Sequence, residues 1–126
     1  METILIRLFL GHVVGDFFFQ TGNMANNKYL PGWKGFFWCS VHVLVYTTIV
    51  TLSIGNLSPI FWLGVYIQHW IVDRWSLAYQ WMKLIGRGSL LPSKILVEVS
   101  LGSIIYVTID QTIHLGYLLV LLKFVV

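Results

Sequence analysis

Apolar residues run along this chain in four long stretches separated by short polar segments. The first covers about 4–20 and ends in TGNMANNKYLPGWKG, rich in Gly, Asn, Lys and Pro, which reads as a loop. The second covers about 36–53; the polar turn GNLSP separates it from the third, at about 60–81. After KLIGRGSLLPSK, in which Pro92 suits the first turn of a helix, the fourth covers about 94–122. A bilayer core of about 30 Å is crossed by roughly 20 apolar residues in a helix. The pattern predicts an all-α protein, a four-transmembrane-helix bundle forming one domain over residues 1–126, its long last helix tilted or projecting at one end.

Polar residues interrupt these stretches at a regular spacing. His12 and Asp16, His69 and Asp73, and in reverse order Asp110 and His114 stand four apart, so every aspartate of the chain has a histidine one helical turn away on the same face. His42 has Tyr46 at that spacing, and Gln20 continues the face of His12 and Asp16. Counted from the non-cytoplasmic end of each span, the seven His and Asp positions fall roughly 8–14 residues in, or about 12–21 Å at 1.5 Å per residue. A polar His/Asp centre at the bilayer midplane is therefore expected. Gly11 and Gly15 beside it allow a neighbouring helix to approach closely.

Composition strengthens the membrane reading: 57% of residues are hydrophobic, only 10% are charged, and mean hydropathy is +0.78, whereas soluble domains carry about a quarter charged residues. The net charge of +3 comes from scattered Lys and Arg rather than a basic stripe, so nucleic acid is not an expected partner; membrane lipids are. Met1 is followed by Glu2 rather than a basic segment, and the first helix is expected to remain in place. Lys28, Lys34, Lys83, Arg87 and Lys94 mark the two loops of one side, and the positive-inside rule places these in the cytoplasm. Both termini are then non-cytoplasmic in a bacterial inner, or cell, membrane. Lys28 and Lys34 read as topology determinants, and Glu98 as reaching water near the cytoplasmic end.

Three aspartates at that depth cost roughly 8–10 kcal/mol in insertion free energy and need a counter-charge. Arg7 lies near a helix end and Arg74 points away from Asp73, which leaves a divalent metal as the direct solution. Imidazoles and carboxylates on facing helices suit zinc first, with manganese or iron as alternatives. The candidate ligands are His12, Asp16, His42, His69, Asp73, Asp110 and His114; His12, Asp16, His69 and Asp73 are expected to bind directly, the rest completing a second metal or supporting the first. Asp73 and Asp110 are the candidate catalytic bases. Tyr46 is placed to orient His42 or meet a substrate, and Arg74 to grip an anionic headgroup or snorkel to the interface. Lone Cys39 excludes an internal disulfide and reads as small apolar packing. No GxSxG or SxxK element supports a serine nucleophile.

The motifs LGHVVGDFFFQT with MANNK, VHVLVYT, QHWIVDRW and IDQTIH resemble a family of small bacterial and phage integral membrane proteins catalogued as domain of unknown function 3307. The resemblance implies that His12, Asp16, Gln20, His42, His69, Asp73, Asp110, Gln111 and His114 are signature positions. The HxxxD element is also similar to one in proteins labelled putative membrane-bound metal-dependent hydrolases. Metal-dependent hydrolysis of a lipid-like substrate is the leading expectation. A metal-ion or proton transporter, and a non-catalytic phage or bacterial membrane factor whose His–Asp pairs lock the bundle, are the alternatives. Gly-lined faces leave room for a homo-oligomer, although no single seam stands out.

Overall fold

The computed structural model describes residues 2–86 and 101–125. Helix α1, Glu2–Val13, passes into a π-helical segment, Val14–Phe18; α2 is Gly22–Asn27, α3 Gly32–Ile54, α4 Pro59–Arg74, α5 Leu77–Leu84 and α6 Leu101–Val125. Among the described residues the regular structure is all helical. The long helices form a ring: α1 packs on α3, α3 on α4, α4 on α6, and α6 closes back towards α1. Short helix α2 lies against α3, and α5 bridges α4 and α6.

Local chemistry accounts for several boundaries. Gly55 ends α3 in the left-handed region, φ 76°, where its N–H reaches the carbonyls of Thr51 and Leu52, and Pro59 opens α4 at its first turn. Thr21 caps α2 by accepting from the Met24 N–H at 3.3 Å, so part of the expected first loop is helical.

The expected third span differs more. Its helix stops at Arg74, and a new one starts at Leu77 after Ser76 takes a left-handed conformation, φ 47°. The apolar run through WSLAYQW contains no Gly or Pro, so nothing local announces the break. The loop residues Arg87, Pro92 and Lys94, Glu98 and the expected start of the fourth span lie outside the described residues.

Two helices, Gly32–Ile54 and Ser103–Phe124, are long and apolar enough to cross a membrane. α4 has 16 residues, and α1 has 12 before the π-helical segment extends it. Buried polar side chains stand beside a buried apolar core, and many large apolar side chains face outwards. His12, His42, His69 and His114 are fully buried, whereas Phe18 and Phe124 are about four-fifths exposed, and Phe9, Leu10, Leu52, Ile60, Leu63 and Val120 also point outwards.

An apolar layer of Leu8, Val50, Ile54, Phe61, Val65 and Leu118 fills the end of the bundle that holds the termini and the GNLSP turn. The α1–α3 contact depends on glycine. A Cβ on Gly11 would come within 2.7 Å of Ser53 Oγ, and one on Gly15 within 2.9 Å of Tyr46 Cδ2 and 3.3 Å of its Cα.

Candidate metal centre

The seven His and Asp side chains meet at one level. Measured along each helix from the end bearing the apolar layer, they lie about 15–22 Å in. The π-helical segment ends at Phe18 and α4 at Arg74, shortly beyond Asp16 and Asp73, whereas Asp110 lies well inside α6. That level is close to the depth of about 12–21 Å counted from the sequence, although the third helix ends at Arg74 rather than near Trp81.

Four ligand atoms converge most closely. His42 Nε2 lies 3.1 Å from His69 Nε2, 3.3 Å from Asp16 Oδ1 and 3.1 Å from Asp73 Oδ2. His69 Nε2 lies 3.6 Å from Asp16 Oδ1 and 3.4 Å from Asp73 Oδ2. A tetrahedral zinc with N and O ligands at about 2.0–2.1 Å has edges of about 3.3–3.4 Å. Five of the six edges of this tetrahedron are thus within a few tenths of an ångström of that value, and all four atoms lie within 4.8 Å of one another. Gln20 Nε2 is 3.1 Å from His42 Nε2. The same His42 nitrogen faces two carboxylate oxygens.

The π-helical segment explains why His12 is not part of this set. The Phe19 N–H bonds to Val14 O at 3.2 Å, five residues back, so the turn carrying Asp16 is wider than an α-turn. Both His12 nitrogens are engaged elsewhere, Nε2 with Gln111 Oε1 at 2.6 Å and Nδ1 with the Tyr46 hydroxyl at 2.7 Å. Gln111 Nε2 donates to Asp16 Oδ2 at 2.9 Å and Asp110 Oδ2 at 3.2 Å. Carboxylates only accept, which fixes the amide and hence the His12 tautomer: Nε2–H donates to Gln111, and Tyr46 donates to Nδ1. His12, expected as a direct ligand, therefore lies outside the closest group and is linked to Asp16 through Gln111, while His42 stands within that group.

Asp16, Asp110 and His114 form a second group whose ligand atoms converge within 4.8 Å. His114 Nε2 lies 3.4 Å from Asp73 Oδ1 and 3.7 Å from Asp110 Oδ2, while Gln68 Nε2 holds His114 Nδ1 at 3.2 Å. The rings are fixed largely by stacking: Tyr46 covers His69 at 3.7 Å between centroids, and His69 covers His114 at 4.1 Å. Cys39 is buried with its thiol 3.9 Å from Trp70 O, in keeping with a packing role.

Sequence reasoning missed Lys28 and Gln68. Lys28 Nζ is 2.7 Å from Asp73 Oδ2, so it is a counter-charge inside the site rather than only a mark of topology. Burial opposes charge on this ammonium, but Asp73 and Asp16 outweigh it and raise its pKa above the ordinary lysine value. α2 delivers Lys28, and a six-residue helix within a polar segment carries little periodicity to betray it. Both residues do stand in the motifs MANNK and QHWIVDRW.

A cavity of about 220 Å³ opens onto the site, lined among others by Asp16, Phe17, Lys28, Asp73, Tyr106 and Asp110. Gln20 also lines it; Arg74, half-buried at the end of α4, does not. The Asp110 side chain is 16% exposed against 2% for Asp73, which makes it the carboxylate nearest to solvent.

The chain belongs to the family described as "Protein of unknown function (DUF3307)", which matches residues 4–126. No curated protein and no solved structure matches it.

Proposed function

We propose that this is an integral membrane metalloprotein of four spans, holding one divalent ion on His42, His69, Asp16 and Asp73 and hydrolysing an amphiphilic, lipid-like substrate. The tetrahedral spacing of the four ligand atoms is the observation that carries the reading. Charge supports it independently. With neutral imidazoles, three carboxylates against the one Lys28 ammonium leave two negative charges, which a single divalent ion cancels. Two N and two O donors in a tetrahedron suit zinc, and the same donor types accept manganese or iron.

The apolar exterior over a polar interior supports membrane insertion, with α1 plus its π-helical extension and α4 as the shorter spans. The cytoplasmic assignment of the Lys28 side follows from charge bias, and inner-membrane location from the same reading.

A bound ion supplies a Lewis acid and a nucleophile at neutral pH. The chain supplies the rest. Asp110 lies outside the tetrahedron and lines the cavity beside His114, one turn away, so it is placed to accept a proton from attacking water; His114 Nε2, buried beside it, is placed to pass one on. Asp73 is assigned to ion binding rather than to proton transfer, since Lys28 and three imidazoles share its oxygens. Tyr46, Gln111 and Gln20 orient the ligands.

Transport is the weaker reading because the layer of Leu8, Val50, Ile54, Phe61, Val65 and Leu118 closes the bundle on the far side of the site. The test is lipid turnover by zinc-loaded protein in mixed micelles, followed by mass spectrometry. Turnover abolished in Asp110→Asn with bound metal retained is expected. Wild-type protein that cleaves none of the lipids offered refutes the hydrolase reading, and an Asp110→Asn variant as fast as wild type refutes the base assignment.

A further inference from the structure

The cavity has two kinds of wall. Its floor is the polar site with Asp16, Asp73 and Asp110, and its rim carries Phe17 and Val107, 53% and 44% exposed on the outer face of the bundle. Among the described residues, the backbones of the π-helical segment and α6 stay apart, as do those of α2 and α6, and the Gln111–Asp16 hydrogen bond bridges the first pair through side chains. Among the described residues, the ring of long helices therefore leaves a gap in its backbone on this flank, between the π-helical segment and the first half of α6.

The opening also has a definite depth. From Val125 back to Tyr106 is about 28 Å along α6, and from Glu2 to Phe17 about 22 Å along α1 and the π-helical segment. In a hydrocarbon core of about 30 Å that begins at those far ends, the rim lies just inside the boundary on the Lys28 side. This is the level at which headgroups of that leaflet meet their acyl chains. Lys28, its Nζ 2.7 Å from Asp73 Oδ2, lines the cavity together with Tyr29 and Tyr106. Basic residues on the same side, including Lys34 and Lys83, favour anionic lipid near the rim.

We infer that this flank is a lateral port through which a phosphate-bearing lipid of the Lys28-side leaflet places its headgroup against Lys28 and the metal centre, its chain lying along Phe17 and Val107. The inference rests on the metal reading, because three aspartates without an ion would repel the phosphate. Once Asp16 and Asp73 are committed to an ion, the ion and Lys28 are the cationic groups facing the cavity. Lys28 is then a headgroup-binding residue, and Val107 sets the width of the port.

The test uses detergent-purified full-length chain loaded with zinc, with zinc stoichiometry and ligand binding measured on the same sample. The probes are dihexanoylphosphatidic acid, dihexanoylglycerol and inorganic phosphate. Wild type should bind the short-chain phosphatidic acid at least about tenfold more tightly than either other probe, because only that probe satisfies both Lys28 and the apolar rim. Lys28→Gln and Val107→Trp should each weaken that binding about tenfold or more, by losing the ammonium or filling the port, while zinc stays at wild-type stoichiometry.

Inorganic phosphate binding as tightly as the lipid, with Val107→Trp without effect, overturns the port in favour of a soluble phosphate ligand. Zinc bound at full stoichiometry with no binding of the short-chain lipid overturns the inference and leaves the metal centre standing. No zinc uptake by wild type refutes both.

Discussion

Replacing Gly15 with alanine tests whether the close approach of α1 and α3 builds the site. The new methyl would stand 2.9 Å from Tyr46 Cδ2 and 3.3 Å from Tyr46 Cα. Carbon atoms rest at about 3.5–4.0 Å, so the first contact is short by at least about 0.6 Å. Tyr46 has little room to yield, since its ring is stacked on His69 at 3.7 Å and its hydroxyl is held 2.7 Å from His12 Nδ1. Overpacking of this kind costs about 1–3 kcal/mol. The displacement also reaches the ligands from two directions, through Asp16 next in sequence and through His69 beneath the ring, so metal affinity should fall about 10–100-fold, as for other groups that orient ligands. Gly116→Ala is the matched control, because a Cβ there meets nothing within 4 Å and alanine favours the helix by up to about 1 kcal/mol. Thermal unfolding in detergent and a zinc titration with a competing chelator read both quantities. A Gly15→Ala protein as stable and as tight for zinc as Gly116→Ala would refute the argument.

Three further substitutions probe the supports of the site. Gln111→Ala removes the amide that ties His12 to Asp16 and Asp110; it should lower zinc affinity about 10–100-fold with the helical circular dichroism unchanged. Tyr46→Phe leaves the buried His12 Nδ1 without its donor and should cost about 1–3 kcal/mol of stability while keeping the ring stack on His69, measurable by thermal unfolding. Ser76→Gly relieves a left-handed non-glycine residue and should raise stability by about 1 kcal/mol, with a loss in the same assay arguing that the serine side chain matters at the break.

Much of the architecture follows from patterns visible in the chain. The apolar runs locate α3 closely, and the four-residue spacing of His69 with Asp73 and of Asp110 with His114 survives as paired side chains in the structure. Gly11 and Gly15 do sit where another helix comes close. What escaped has physical reasons. The His12–Asp16 spacing looks the same as the other two, yet a π-helical turn between them sends His12 to Tyr46 and Gln111, and that turn has no sequence mark of its own. The stop at Arg74 is marked by no Gly or Pro and depends on Ser76 adopting a left-handed conformation. Lys28 is 45 residues from Asp73, and only the placing of α2 against α3 brings them together. Local patterns thus announce which residues are polar and inward-facing, whereas their division between ion binding and support is decided by tertiary contacts.

The most direct measurement is the metal content of the purified protein by elemental analysis, after reconstitution with zinc, manganese or iron. Wild type should be compared with His42→Ala and His12→Gln variants that still elute as single folded species. One ion per chain is expected in wild type, reduced but detectable binding in His12→Gln, and none in His42→Ala. A wild type that holds no ion under any of these conditions, or a His42→Ala variant that keeps its full complement, would contradict the site assigned to His42, His69, Asp16 and Asp73.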